Sequence, residues 1–141
     1  MSSPNGARVQ RALQGALVNA ILGNERIARD FGLLVTDLQT LHLLVLRDDV
    51  RTPKRLSQTT GLPTSTVTRV VDRLEASGYL RRVNDPQDRR RVNIELVMDR
   101  IEPIIIRYGQ FTDALEQTHA EFTEEELGIV ARYLEQTGST F

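Results

Sequence analysis

Cysteine is absent from the 141 residues, which excludes a disulfide framework, a thiolate nucleophile, any Cys-based zinc or redox centre, and thiol-based sensing. Only two histidines occur, His42 and His119, far apart and with no cluster of ligating residues around them, so no metal site is expected. A Gly-rich phosphate loop, an HExxH pattern and a pair of carboxylates in an obvious pocket segment are all missing. That leaves an enzyme without a catalytic residue or a cofactor motif to stand on, and neither is expected. Purely apolar runs, such as the one at 43–46, are far too short to span a bilayer, and residues 1–6 are polar and small rather than the apolar core of a secretory signal. The expectation is a soluble cytoplasmic protein with no membrane partner.

Excess charge of one sign is lacking too. A formal net charge of −1 would argue against a nucleic-acid partner if the charges were evenly spread. They are not. Residues 47–91 hold eleven basic residues (Arg47, Arg51, Lys54, Arg55, Arg69, Arg73, Arg81, Arg82, Arg89, Arg90, Arg91) against six acidic ones, a net of +5, and the remainder holds seven against thirteen, a net of −6. A basic middle between acidic ends is the footprint of a segment that meets phosphate.

Val9, Leu13, Ala16, Leu17, Ala20 and Ile21 recur at helical spacing, predicting one long amphipathic helix over 7–30 despite Gly15 and Gly23. Thr36 and Gln39 fit a capping box that opens a buried helix to Leu46, ended by Asp48 and Asp49. Thr52 before Pro53 reads as an N-cap with proline at the first helical position, and Gly61 suits the left-handed residue that closes a short helix over 52–60. After Gly61-Leu62 the chain restarts at Pro63 and Thr64, and Val67, Val70, Val71 and Leu74 mark one buried face to Ser77, with Gly78 as cap. Residues 79–83, a polar turn at 84–88, and Val92, Ile94 and Leu96 alternating with Asn93 and Glu95 form a long-looped β-hairpin. Asp99 with Glu102 suits a helix start, Pro103 is tolerable in its first turn, and Ile104, Ile105, Tyr108, Phe111 and Leu115 continue the stripe. Thr123 and Glu126 form a second capping box before a final helix ending near Gly138. The fold class is mainly α with a small β-wing.

Two short helices joined by a tight Gly-containing turn, the second followed at once by a basic hairpin, are the parts of a winged helix-turn-helix. Opposite the valines the second helix offers Ser65, Thr68, Arg69 and Asp72, with Thr64 and Thr66 at its N-terminal end. Short hydroxyls admit close approach to a groove, while Arg69 reaches further; on guanine it would specify, on phosphate it would only position. Arg73 is either a phosphate clamp or an intramolecular partner of Asp72 or Glu75. At the hairpin tip Asp88, Arg89, Arg90 and Arg91 suit a narrow minor groove, Asp88 orienting either Arg90 or the hairpin backbone.

The block Ser65-Thr-Val-Thr-Arg-Val-Val-Asp-Arg-Leu-Glu-Ala-Ser-Gly-Tyr-Leu-Arg-Arg82, followed by Asp88-Arg-Arg90 and the strand at 92–96, resembles the recognition helix and wing of MarR-family regulators. Helix lengths and apolar spacing correspond over nearly the whole chain. Val97 stands where that family commonly has threonine, and Arg100 where glycine is usual. The resemblance implies a homodimeric DNA-binding regulator, expected to be a repressor. Its recognition helix (about 64–77) would lie in a major groove of double-stranded DNA, and its wing (about 79–97) would put Arg90 in the adjacent minor groove of a near-palindromic operator. Residues 1–32 would be an N-terminal dimerisation helix, 33–98 the DNA-binding lobe and 99–141 the C-terminal dimerisation helices. The apolar surplus at 127–134, with Ile129 and Tyr133 on faces other than that of Leu127, Val130, Ala131 and Leu134, independently asks for a covering partner.

Many members of that family release DNA when a small, often phenolic, anion binds between the dimer helices and the DNA-binding lobe. Asn19, His42 and Arg107 are the polar residues on elements expected to line such a cleft; the bland reading is a hydrogen-bonded histidine at the core edge and a solvated arginine. The rival to DNA binding is a winged-helix protein-interaction module, which needs no basic wing.

Overall fold

The structure, a computed structural model, describes residues 3–140. Helix α1 (Pro4–Asp30) begins three residues before its apolar stripe suggests, because the Ser3 side chain accepts the Gly6 N–H at 3.0 Å and Pro4 occupies the first turn. Along its length only Ala28 is buried. Helix α2 (Val35–Leu46) corrects one expectation. Its N-cap is Leu34 with no side-chain hydrogen bond, so Thr36 lies inside the first turn and the capping box with Gln39 does not form. Thr36 instead offers its carbonyl to the Thr40 hydroxyl at 2.8 Å.

A short 3₁₀ turn (Asp48–Val50) leads to α3 (Pro53–Thr60). Here local chemistry decides both ends: the Thr52 hydroxyl accepts the Arg55 N–H at 3.2 Å, and Gly61 takes φ 72°, where a side chain would be strained. The turn into α4 (Thr64–Ala76) is held by the Ser57 hydroxyl, which donates to the Leu62 carbonyl at 2.7 Å. Val67, Val70, Val71 and Leu74 are buried as their spacing requires. Gly78 at φ 82° then reverses the chain into β1 (Leu80–Asn84).

Strand β1 pairs antiparallel with β2 (Val92–Leu96), from Leu80↔Leu96 to Asn84↔Val92. The hairpin is tied to the lobe at its far edge as well, since the Ile94 N–H donates to the Arg51 carbonyl at 2.8 Å. Leu80 and Ile94 point into a core built from Leu38, Leu41, Leu44, Val50, Leu56, the α4 valines and Leu74. Each such fully buried side chain contributes about 1.5–3 kcal/mol relative to exposure.

Helix α5 (Met98–His119) starts one residue before Asp99, which puts Pro103 in the second turn rather than the first; the missing N–H removes a hydrogen bond to the Asp99 carbonyl. Helix α6 (Glu124–Gly138) has the predicted capping box, the Thr123 hydroxyl accepting the Glu126 N–H at 3.1 Å and the Glu126 carboxylate accepting the Thr123 N–H at 2.9 Å. The chain divides into two compact units, one reaching to Glu102 and one from Pro103 onward. In the first, α2, α3, α4 and the hairpin pack on one another, and α1 packs on α2. In the second, none of the described residues of α6 is buried. No described helix is long and apolar enough to cross a membrane.

Candidate nucleic-acid interface

On α4 the face opposite the valines is open to solvent: Thr64, Ser65, Thr68, Arg69 and Asp72 are exposed and Thr66 is half-buried. The Thr68 hydroxyl donates to the Thr64 carbonyl at 2.9 Å, so it presents lone pairs and a methyl group outward rather than a proton. Beside the N-terminus of α4 lies an open groove of about 1030 Å³ bounded by the first turns of α3 and by the wing. Lys54, Arg55 and Gln58 of α3 face Arg90 and Arg91 of the wing across it, with Thr64 at one side.

Of the cations of the basic segment, four are paired to carboxylates, Arg51 donates to the Leu44 carbonyl at 3.2 Å, and the rest form no ion pair among the described residues. Arg47 pairs with Asp49, and Arg81 with its cross-strand neighbour Glu95. Arg82 reaches both Asp72 and Glu75, and its backbone N–H, then its guanidinium, hold the Glu75 carboxyl below the usual carboxylate range. Arg73 makes two hydrogen bonds to Asp37, at 2.9 and 2.8 Å. Its intramolecular partner is therefore on α2 and is neither Asp72 nor Glu75. Among the described residues, by contrast, no carboxylate lies within ion-pair distance of Lys54, Arg69, Arg89, Arg90 or Arg91. A guanidinium without a protein partner keeps its donors available for phosphate or a base edge.

The wing tip is ordered by its own backbone. Asp88 accepts the Arg90 N–H through its carboxylate and the Arg91 N–H through its carbonyl, both at 3.0 Å. Asp85 donates its N–H to the Arg91 carbonyl at 3.0 Å and accepts the Gln87 N–H at 2.9 Å. Of the two roles open to Asp88, the geometry is that of a backbone organiser, leaving the Arg89, Arg90 and Arg91 side chains exposed.

Sequence reasoning counted Lys54 and Arg55 as charge but did not select them, or Gln58, as site residues. The only signal for Lys54 and Arg55 was their place in the first turn after the Thr52-Pro53 cap, with Gln58 in the next turn; that this side of α3 faces the wing loop is decided by packing between segments far apart in sequence. The three polar candidates for effector binding are placed individually: Asn19 is exposed on α1, His42 half-buried on α2, and Arg107 half-buried on α5, donating to the Gln110 side chain at 3.0 Å. No group of three or more metal-ligating side chains occurs among the described residues.

A helix-turn-helix followed directly by a two-stranded basic wing defines a winged helix-turn-helix protein of the transcription-regulator class. A MarR-family model matches residues 31–91, and the uncharacterized HTH-type transcriptional regulator YcgE of Bacillus subtilis is 34% identical over 114 residues, covering 81% of this chain and 73% of that protein. The chain belongs to the MarR family, whose members are transcriptional regulators and not enzymes. Among solved structures, a MarR family protein from Bacillus stearothermophilus is 23% identical, with a TM-score of 0.75 and coverage of 99% and 97% of the two chains. The S. aureus MepR–DNA complex is 20% identical, with a TM-score of 0.65 and coverage of 95% and 98%; both likenesses are of fold.

Proposed function

We propose that this regulator is a homodimeric repressor that binds a near-palindromic operator, α4 of each protomer entering a major groove and Arg90 of each wing the adjacent minor groove. The observation that carries the reading is the division of the cations: Arg47, Arg73, Arg81 and Arg82 are paired to carboxylates, while Lys54, Arg55, Arg90 and Arg91 line one groove, Arg89 stands at the wing tip and Arg69 on the open face of α4, none of them in an ion pair among the described residues. Desolvating an already paired arginine against DNA forfeits its first bond; an open one forfeits nothing but water. In this arrangement Arg69 reads a base edge, Thr64, Ser65, Thr66 and Thr68 line the close approach, and Lys54, Arg55, Arg89 and Arg91 hold phosphate. Arg73 contributes through the half of its side chain that Asp37 leaves exposed. That the fold relative MepR forms a complex with DNA supports DNA binding by this fold.

The dimer reading is supported by apolar faces that this chain leaves uncovered: Ile21 on α1 at 60% exposure, Phe111 on α5 at 64%, and Ile129 on α6 at 55%. Exposed apolar residues on each of α1, α5 and α6 are the material of a protein interface. These helices are the dimerisation elements in this reading, and half-sites then fall about one helical turn, roughly 34 Å, apart. Of the three polar effector candidates only Arg107 carries the charge an anion requires, and we assign it to a carboxylate-bearing effector; carboxylate binding unchanged in Arg107→Ala removes that assignment.

Selection of bound duplexes from a random pool by the purified protein at two salt concentrations tests the main reading. A near-palindrome enriched at both salts is expected. The absence of any consensus, with binding lost uniformly as salt rises, overturns sequence-specific recognition.

A further inference from the structure

What holds the far end of α4 comes from the start of another helix. Arg100, in the first turn of α5, donates through Nη2 to the carbonyl of Ser77, the C-cap of α4, at 3.0 Å. The same guanidinium lies over the ring of Tyr79, 5.1 Å from its centroid, a distance at which the ring face attracts the cation. Its Nε stands 3.7 Å from where a Cβ on Gly78 would be. One side chain thus bonds Ser77, covers the ring of Tyr79 and runs alongside Gly78 between them, the passage from the recognition helix to the wing. Below it, the Val97 N–H donates to the Tyr79 carbonyl at 2.9 Å.

The electrostatics are directional. A cation in the first turn of its own helix sits at the positive end of that dipole, where it is disfavoured; at the carbonyl end of α4 it is favoured. The position of Arg100 is accounted for by the α4 terminus and the Tyr79 ring, not by α5. Tyr79 is buried while Arg100 is exposed, so truncating Arg100 opens no cavity and acts on the junction rather than on the core.

We propose that Arg100 is a positioning residue for DNA recognition, clamping residues 77–79 so that α4 and the root of the wing present their contacts to adjacent grooves as one unit. The inference rests on the reading of α4 and the wing as the DNA-contacting elements. Arg100 acts through Ser77 and Tyr79.

The test compares full-length wild type, Arg100→Ala and Arg100→Lys on the duplex selected by the wild type, across a salt series and at a temperature where circular dichroism shows each protein fully folded. Arg100→Ala is expected to bind about three- to tenfold more weakly, a coupling of ordinary size. The slope of log affinity against log salt stays at the wild-type value, because no phosphate contact has been removed. Arg100→Lys, whose ammonium can still meet the Ser77 carbonyl and the ring, stays within about twofold of wild type. Amide exchange at residues 77–84, followed without DNA, is faster in Arg100→Ala. Wild-type affinity in Arg100→Ala, equal impairment of both variants, a salt slope lowered by about one, or unchanged exchange at 77–84 each overturns the proposal. If the wild type selects no duplex, the DNA-binding reading itself fails; the exchange comparison then still decides whether Arg100 holds the junction.

Discussion

Arg69 and Arg90 differ in what surrounds them, and the surroundings set what each substitution does. Arg69 projects from a rigid helix whose opposite face is wholly buried, the placement suited to reading one base edge. Arg69→Ala is expected to cost about 1–3 kcal/mol and to relax preference at one position per half-site, checked by competition among single-base operator variants. Arg90 projects from a loop whose backbone Asp88 organises. Arg90→Ala is expected to weaken binding to all sequences and to lower the salt slope by about one, measured by titration at several salt concentrations. Glu75 illustrates a different dependence. Its folded-state ionisation lies below the ordinary range because it accepts from the Arg82 N–H and guanidinium, so the stabilisation is fully present above the unfolded value of about 4.3 and is lost as pH falls through the depressed folded one. Acid unfolding of Glu75→Gln should lack that part of the pH dependence.

At the scale of elements, α3 and its turn were legible because the needed chemistry is local: Thr52 caps, Pro53 opens, Gly61 adopts positive φ. Nothing lies within 4 Å of a Cβ placed on Gly61, so the cost of Gly61→Ala is conformational alone, about 1–2 kcal/mol in denaturant unfolding. The start of α2 was misread for a physical reason. A Thr followed three residues later by Gln satisfies the capping pattern, but Leu34 already has extended backbone and the helix begins before Thr36 can cap it. The tie between α2 and α4 was invisible, since Asp37 and Arg73 are paired only by the packing of the two helices. That pair is asymmetric: the Asp37 side chain is 4% exposed and that of Arg73 is 43%. Removing Arg73 strands a carboxylate away from water, whereas removing Asp37 releases an arginine that solvent can reach. Arg73→Leu is therefore expected to destabilise more than Asp37→Leu, with the double variant falling between wild type and Arg73→Leu in chemical denaturation.

At the scale of the whole molecule, Phe111, Ile129 and Leu134 are left at half exposure or more, apolar surface that the proposed dimer would cover. Sedimentation equilibrium is expected to return twice the chain mass, and Ile129→Asp to shift the equilibrium toward the monomer and weaken operator binding with it; a wild-type monomer at micromolar concentration would remove the dimer. Amphipathic periods, the caps of α3 and α6, the left-handed Gly61 and Gly78 and the alternation in the wing were determined by the sequence itself, because each depends on residues within one or two turns of one another. The contacts that convert those elements into a site were decided only by the tertiary structure. They include α3 facing the wing across the groove, Ile94 bonded to Arg51, Asp37 holding Arg73, and Arg100 over Tyr79. They join segments whose approach depends on how buried faces pack, and packing between distant segments leaves no periodic mark along the chain.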